Sequence, residues 1–312
     1  MSSKLNPERL RTVQLVPLTA YDSQGRLNLE PMRQLNRRLF EAGVRCFIPC
    51  AGSAEFHSLS ADEIVSAVRM TRELVGEHAL VMAPVGGEHR AAIELGKRSL
   101  EAGAEAILVM PLDFPYMSDE GARDYYLRLM DALRCPTLVY KKAACPSDKL
   151  LLELAGHEHL VGVKYAVNDI NAFNRVVQED RVHDDGGRIE WICGHAERFA
   201  PFFMLAGSTG YTSGAGNVCP RLTLALHAAL ASGDYAEAMR LQHLILPIEH
   251  FRARADNSFN ISFLKHAITH TGLDFGPPRV PNRRLTEAEM REIDALMPAI
   301  LEAENSVTAA AV

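Results

Sequence analysis

Short apolar runs rich in β-branched residues recur along the chain, each followed by a longer stretch whose apolar positions return every three or four residues. That alternation predicts repeated β-α units on a parallel sheet. Strands are expected at Val13–Leu18, Val44–Cys50, Leu80–Val85, Ala106–Pro111, Pro136–Lys141, Leu160–Tyr165, Ile189–Gly194 and Thr209–Ser213. The intervening helices include Asn28–Ala42, Ala61–Leu74, Arg90–Ala102 and Ser118–Leu133, with Gly43 and Gly103 where a helix C-terminal glycine belongs. Eight units, roughly 20 to 35 residues apart, fit a closed eight-fold barrel better than a doubly wound sheet, which more often stops at five to seven strands.

The expected fold is thus α/β, a TIM (β/α)8 barrel, assigned to residues 1–232. Beyond it, Tyr235–His250, Ser258–Thr271 and Thr286–Glu304 read as helices with no further strand. Residues 233–304 are therefore expected to form a C-terminal helical extension, and 305–312 a flexible tail.

Composition narrows the class. With 312 residues, 47% apolar and 23% charged, the chain is neither disordered, collagenous nor a small disulfide scaffold. Its 33 basic and 39 acidic side chains form no block of one sign, which argues against nucleic acid. The amino terminus lacks an apolar signal core, and no run reaches the roughly 18 apolar residues of a membrane span, so a cytoplasmic location is expected. The cysteines, Cys46, Cys50, Cys135, Cys145, Cys193 and Cys219, form no C-x-x-C and are expected to be reduced and mostly buried.

One residue stands out in the sixth strand. In Leu160-Val161-Gly162-Val163-Lys164-Tyr165, alternation puts Leu160, Gly162 and Lys164 on one face. Barrel active sites sit at the C-terminal strand ends, so an inward Lys164 would enter the catalytic mouth with Gly162 leaving room beneath it. A buried lysine there suggests imine formation with a ketone or aldehyde, because an apolar surrounding holds the amine neutral. By itself, a strand-terminal lysine more often reaches solvent, and a partner residue is needed to favour the catalytic reading.

Tyr140 ends the fifth strand, and the small-residue turn Ala51-Gly52-Ser53-Ala54-Glu55 follows the second. A tyrosine moves protons at an imine carbon when a second hydroxyl hands them on, a task open to Ser53, and the Gly52 and Ser53 amides suit a carboxylate. A core tyrosine and an ordinary turn are the plainer alternatives.

Together these segments resemble the dihydrodipicolinate synthase and N-acetylneuraminate lyase superfamily of class I Schiff-base aldolases over roughly residues 10–300. The anchors are Leu18-Thr19-Ala20-Tyr21-Asp22, Gly52-Ser53-Ala54-Glu55, Ser118-Asp119-Glu120-Gly121, Val139-Tyr140, Val161-Gly162-Val163-Lys164, Gly194, Ser213-Gly214-Ala215-Gly216-Asn217, Lys265 and the Gly272-to-Pro281 stretch. The resemblance implies Lys164 as the Schiff-base lysine, Tyr140 and Ser53 as its proton-transfer partners, and Gly52, Ser53, Gly194 and Ser213 as substrate-binding residues. It also implies a lyase acting on a small 2-oxo acid without metal or cofactor, assembled as a homotetramer of paired dimers. The apolar loop Asp113-Phe114-Pro115-Tyr116-Met117 would lie at the tight interface. A non-catalytic 2-oxo acid sensor on the same scaffold is the rival class.

Departures from the synthases bear on the substrate. Gly52 and Ser53 stand where the synthases have two threonines, Cys145 where they have a carboxylate-binding arginine, and Asp113-Phe114 where a tyrosine pair is usual. The turn looks more like the 5-dehydro-4-deoxyglucarate dehydratase branch. Lys141 and Lys142 could face an acidic substrate, lower the pKa of Lys164 or simply be solvated, and Tyr165 suggests no substrate. His266 and His270, without a third ligand in sequence, read as surface or capping residues, as does His157-Glu158-His159. Gly86-Gly87 reads as a loop, not a dinucleotide site.

Overall fold

The computed structural model describes residues 5–183 and 187–307. A short 3-10 turn at Pro7–Leu10 leads into eight strands: β1 Val13–Leu15, β2 Cys46–Phe47, β3 Leu80–Val85, β4 Ala106–Val109, β5 Thr137–Lys141, β6 Leu160–Tyr165, β7 Glu190–Cys193 and β8 Gly210–Ser213. Each pairs in parallel with its neighbour in the chain, and β8 closes on β1 through Val13↔Tyr211, Gln14↔Thr212 and Leu15↔Ser213. The barrel expected from the repeating pattern is therefore closed.

Around it lie α1 Leu29–Glu41, α2 Ala61–Val75, α3 His89–Glu101, α4 Asp119–Leu133, α5 Asp148–Leu154, α6 Ile170–His183, α7 Ala196–Leu205 and α8 Pro220–Ser232. Their starts follow capping chemistry: Asn28 caps α1, Ser118 caps α4, and Ser60 with Glu63 forms a capping box on α2. α1 turns Met32, Leu35 and Leu39 to the barrel as one apolar stripe.

Several strands are shorter than their apolar runs. β2 stops at Phe47, and the chain leaves the sheet through Cys50, whose φ of 62° is left-handed. β1 stops at Leu15; the Leu18 N–H then donates to the Asn217 side chain at 3.0 Å, and the Asn217 amide donates back to the Val16 carbonyl at 2.9 Å. A side chain replaces the ladder there, so apolar sequence continues where strand pairing does not.

After α8 the chain forms α9 Tyr235–Arg252, the kinked α10 Arg254–Asn257, α11 Asn260–Ala267 with a 3-10 turn at Ile268–Thr271, and α12 Glu287–Ser306. Several contacts tie this segment to the barrel. Gln242 of α9 donates to the carbonyls of Glu197 and Arg198 at 3.0 and 2.9 Å. Lys265 of α11 pairs with Glu55 in the turn after β2, at 2.8 Å. Glu304 of α12 accepts from the amides of Arg221 and Leu222 at 3.0 and 2.9 Å, capping α8, whose own N-cap Cys219 offers no side-chain bond. α12 runs through Ser306, so Asn305 and Ser306 are helical where a tail is expected; residues 308–312 of that tail lie outside the described residues. No helix among the described residues is long and apolar enough to cross a membrane.

Candidate active site

Lys164 lies opposite Tyr140 in the parallel register of β5 and β6. Only 5% of it is exposed. Removal from water, reinforced by the positive charge of Lys142, lowers its pKa from 10.5 to about 7. The amine nitrogen sits 4.0 Å from the centre of the Tyr140 ring. Burial, with a smaller contribution from Cys193, raises the Tyr140 phenol to about 12.

These two residues face a cavity of about 450 Å³ at the C-terminal end of the barrel, which Gly52, Ser53, Gly194 and Ser213 also line. All six site residues expected from the sequence thus converge on one space. Gly194 makes room for the lysine, while Gly162 is demanded by the neighbouring strands and not by Lys164. A Cβ on Gly194 would lie 2.7 Å from the Ala166 Cβ and 3.2 Å from the Lys164 Cγ, and one on Gly162 would lie 2.9 Å from the Glu190 carbonyl oxygen.

The Gly52–Ala54 segment is a single 3-10 turn whose first internal bond runs from the Ala54 N–H to the Ala51 carbonyl. The amides of Gly52 and Ser53 come before it and are available to an anion. Thr19 Oγ1 donates to the Ala54 carbonyl at 2.7 Å, and the Glu55 carboxylate, on a backbone with φ of 67°, also accepts from the Arg279 N–H at 2.8 Å. The turn is thereby fixed from both sides. No hydrogen bond joins Ser53 to Tyr140 among the described residues, so any transfer between these hydroxyls runs through a bound molecule.

The two lysines of β5 and its loop part company. Lys141 is 3% exposed, is absent from the cavity lining, and is bound by the carbonyls of Ala144 and Pro146 and by Asp148 at 3.4 Å. Lys142 is exposed and lines the cavity. Tyr165, on the opposite face from Lys164, packs edge-on against Phe173 of α6, with 5.2 Å between centroids, and donates to Asp148 at 3.3 Å. Its conspicuous place in the sequence reflects the helix layer and not the substrate. Cys145 sits 3.5 Å from Asp119 and outside the cavity lining, offering no carboxylate clamp.

The comparisons decide the family. The model of the dihydrodipicolinate synthetase family matches residues 9–300. The chain belongs to that family. A probable 5-dehydro-4-deoxyglucarate dehydratase 1 of Streptomyces avermitilis is 30% identical over 284 residues, covering 90% of each chain. A 4-hydroxy-tetrahydrodipicolinate synthase of Haloarcula marismortui is 28% identical over 293 residues, 92% of each. The crystal structure of dihydrodipicolinate synthase from Bacillus clausii superposes with a TM-score of 0.89 at 33% identity, covering 94% of this chain and 98% of that one.

Sequence reasoning missed what this member of the dihydrodipicolinate synthetase family brings to the cavity from α7 and from beyond α8. His195, Arg198, Glu249, Arg252 and Asn260 all line it. Arg252 donates to Glu249 and, at 2.8 Å, to Asn260, while burial lowers the pKa of His195. The chain reaches this position through Ala255, Asp256 and Asn257, with φ of 44°, 53° and 66°. Three consecutive left-handed residues other than glycine cost roughly 1–2 kcal/mol each and persist only where the surroundings impose them. The signal available in the sequence was Glu249 and Arg252, three residues apart at the end of α9, which runs two residues beyond the expected Tyr235–His250 helix. Elsewhere, His266 and His270 each place Nε2 2.7 Å from Asp294 Oδ1, a third group 24 residues beyond His270 that joins them to α12.

Proposed function

We propose that the protein is a Schiff-base-forming lyase that dehydrates a hydroxylated 2-oxo acid, with a six-carbon di-acid of the 5-dehydro-4-deoxyglucarate type as the favoured substrate. The observation that carries this reading is the buried Lys164 amine beside Tyr140. Lys164 as a neutral amine adds to the keto carbon, and the carbinolamine hydroxyl takes the Tyr140 phenolic proton and leaves as water, giving a protonated imine and a Tyr140 phenolate. The imine acidifies the adjacent carbon; its proton leaves to Tyr140, and the enamine expels the hydroxyl one carbon further on. Hydrolysis of the unsaturated imine then frees Lys164.

Substrate choice rests on the cavity's charges and on the relative's name. The carboxylate next to the ketone fits the Gly52 and Ser53 amides, with Ser213 and Gly194 bordering the keto carbon. A second carboxylate at the far end of a six-carbon chain needs a cation, and exposed Arg198 and Lys142 border the cavity. Cys145 removes the arginine on which synthase chemistry relies. Purified protein should therefore consume 5-dehydro-4-deoxyglucarate and condense pyruvate with aspartate semialdehyde poorly, if at all; efficient condensation with no turnover of the sugar acid would overturn the assignment.

We also propose assembly as a tetramer of paired dimers. Tyr116 is 98% and Phe114 44% exposed on the single chain, within the loop after β4 expected at an interface. A second apolar patch carries Phe202 and Leu205, 50% and 69% exposed. Two separate patches fit a tetramer of this kind, which needs two different self-complementary interfaces.

A further inference from the structure

A carboxyl group lies buried immediately behind the cavity wall. Glu197, in the first turn of α7, has no exposed surface. Its Oε1 accepts from Ser213 Oγ and, at 2.6 Å, from Thr223 Oγ1, while Oε2 is buried with no partner. Ser213 lines the cavity on its other side, and its Oγ also accepts from the Gly216 N–H at 2.8 Å. No cation neutralises Glu197 among the described residues. The nearby guanidinium of Arg252 is held by Glu249.

We propose that Glu197, acting through Ser213, supplies the proton to the departing hydroxyl of the substrate. This rests on the dehydratase reading above. When Glu197 carries its proton on the oxygen facing Ser213, Ser213 Oγ accepts from Glu197 and from the Gly216 N–H. Its own hydrogen is then free to donate into the cavity. As the C–O bond breaks, the oxygen leaves with the bonding pair, takes the Ser213 proton and departs as water. Ser213 takes the proton of Glu197, and the carboxylate left behind is held by Ser213 and Thr223. The proton taken from carbon restores the Tyr140 phenol, and hydrolysis of the protonated imine releases the proton that restores Glu197, so none is gained or lost. A retro-aldol step would instead need a base at the same hydroxyl, so an acid here selects dehydration.

The surroundings favour the protonated form. Burial first, and then the charge of Glu249 on α9, raise the Glu197 pKa well above the usual carboxylate range. The other titratable groups facing it are Tyr211 of β8, Cys193 of β7 and Cys219 before α8, all held neutral by burial, and Arg252, which is paired with Glu249. Glu197 is a positioning residue that acts through Ser213 and does not touch the substrate.

The test compares wild type with Glu197→Gln and Ser213→Ala in kcat against pH, alongside borohydride trapping of the imine. In wild type, kcat falls as pH rises through the pKa of Glu197, because the acid must be protonated. Glu197→Gln should trap imine as wild type does, lose roughly 100-fold in kcat and lose the alkaline limb. Ser213→Ala, which leaves Glu197 in place, should show a similar loss and covers the case in which the glutamine variant does not fold. Normal trapping with unchanged kcat and pH profile in either variant would overturn the proposal. A wild type that traps no 2-oxo acid would instead overturn the functional reading beneath it.

Discussion

Tyr140 and Lys164 are register partners on adjacent parallel strands, and the lysine nitrogen lies 4.0 Å from the centre of the tyrosine ring. An aromatic face favours a cation, so the ring works against the desolvation that keeps the amine neutral. Desolvation wins: the Lys164 pKa falls to about 7.

The first expected outcome follows from that value. Only the neutral amine attacks a carbonyl, so kcat/KM should rise with pH through an apparent pKa near 7, before any fall that deprotonation of Glu197 imposes at higher pH. Its steady-state profile checks this. A limb near the ordinary lysine value of 10.5 would mean that the amine is solvated in the free enzyme.

Burial of Lys164 also carries a stability cost with a definite pH window. Between about 7 and 10.5 the unfolded chain binds this proton and the folded chain does not, so folding stability should rise with pH across that window. Lys164→Met removes the charge while filling similar space. It should stabilise the protein by about 2–5 kcal/mol at pH 7, with the gain fading towards pH 10.5. Urea unfolding at several pH values measures both.

How far the sequence reached has a physical pattern. Lys164 and Tyr140 were legible because alternation along a barrel strand says which residue faces the centre, Gly52 and Ser53 because a small-residue βα turn offers amides and a hydroxyl, and Gly194 and Ser213 only through the family resemblance. Arg252 and Asn260 were not. Their place depends on how the helices after β8 fold back over the barrel, which no local periodicity encodes. Asp294 was hidden from His266 and His270 for the same reason. Strand lengths were overestimated where Asn217 takes over the hydrogen bonds of the ladder and where Cys50 leaves it.

Tyr140→Phe keeps the ring against Lys164 and removes the hydroxyl. Turnover should fall by roughly 100-fold or more, while the midpoint of thermal unfolding shifts little. Unchanged turnover would assign proton transfer elsewhere.

Light scattering at micromolar concentration should give a particle well above the 34.4 kDa of one chain. Burying Phe114 and Tyr116 contributes roughly 1.5 to 3 kcal/mol each, so changing both to serine should weaken the tight interface. A monomer in the unmodified protein would remove the assembly claim, and an oligomer indifferent to the double change would place the interface elsewhere.

The whole proposed reaction depends on a covalent imine between Lys164 and a 2-oxo acid. Incubation with pyruvate and borohydride, followed by mass spectrometry of the intact protein and its peptides, tests it most directly. A stable adduct on the peptide containing Lys164, abolished in Lys164→Ala, is the predicted result. No adduct, or one confined to Lys142, would contradict it.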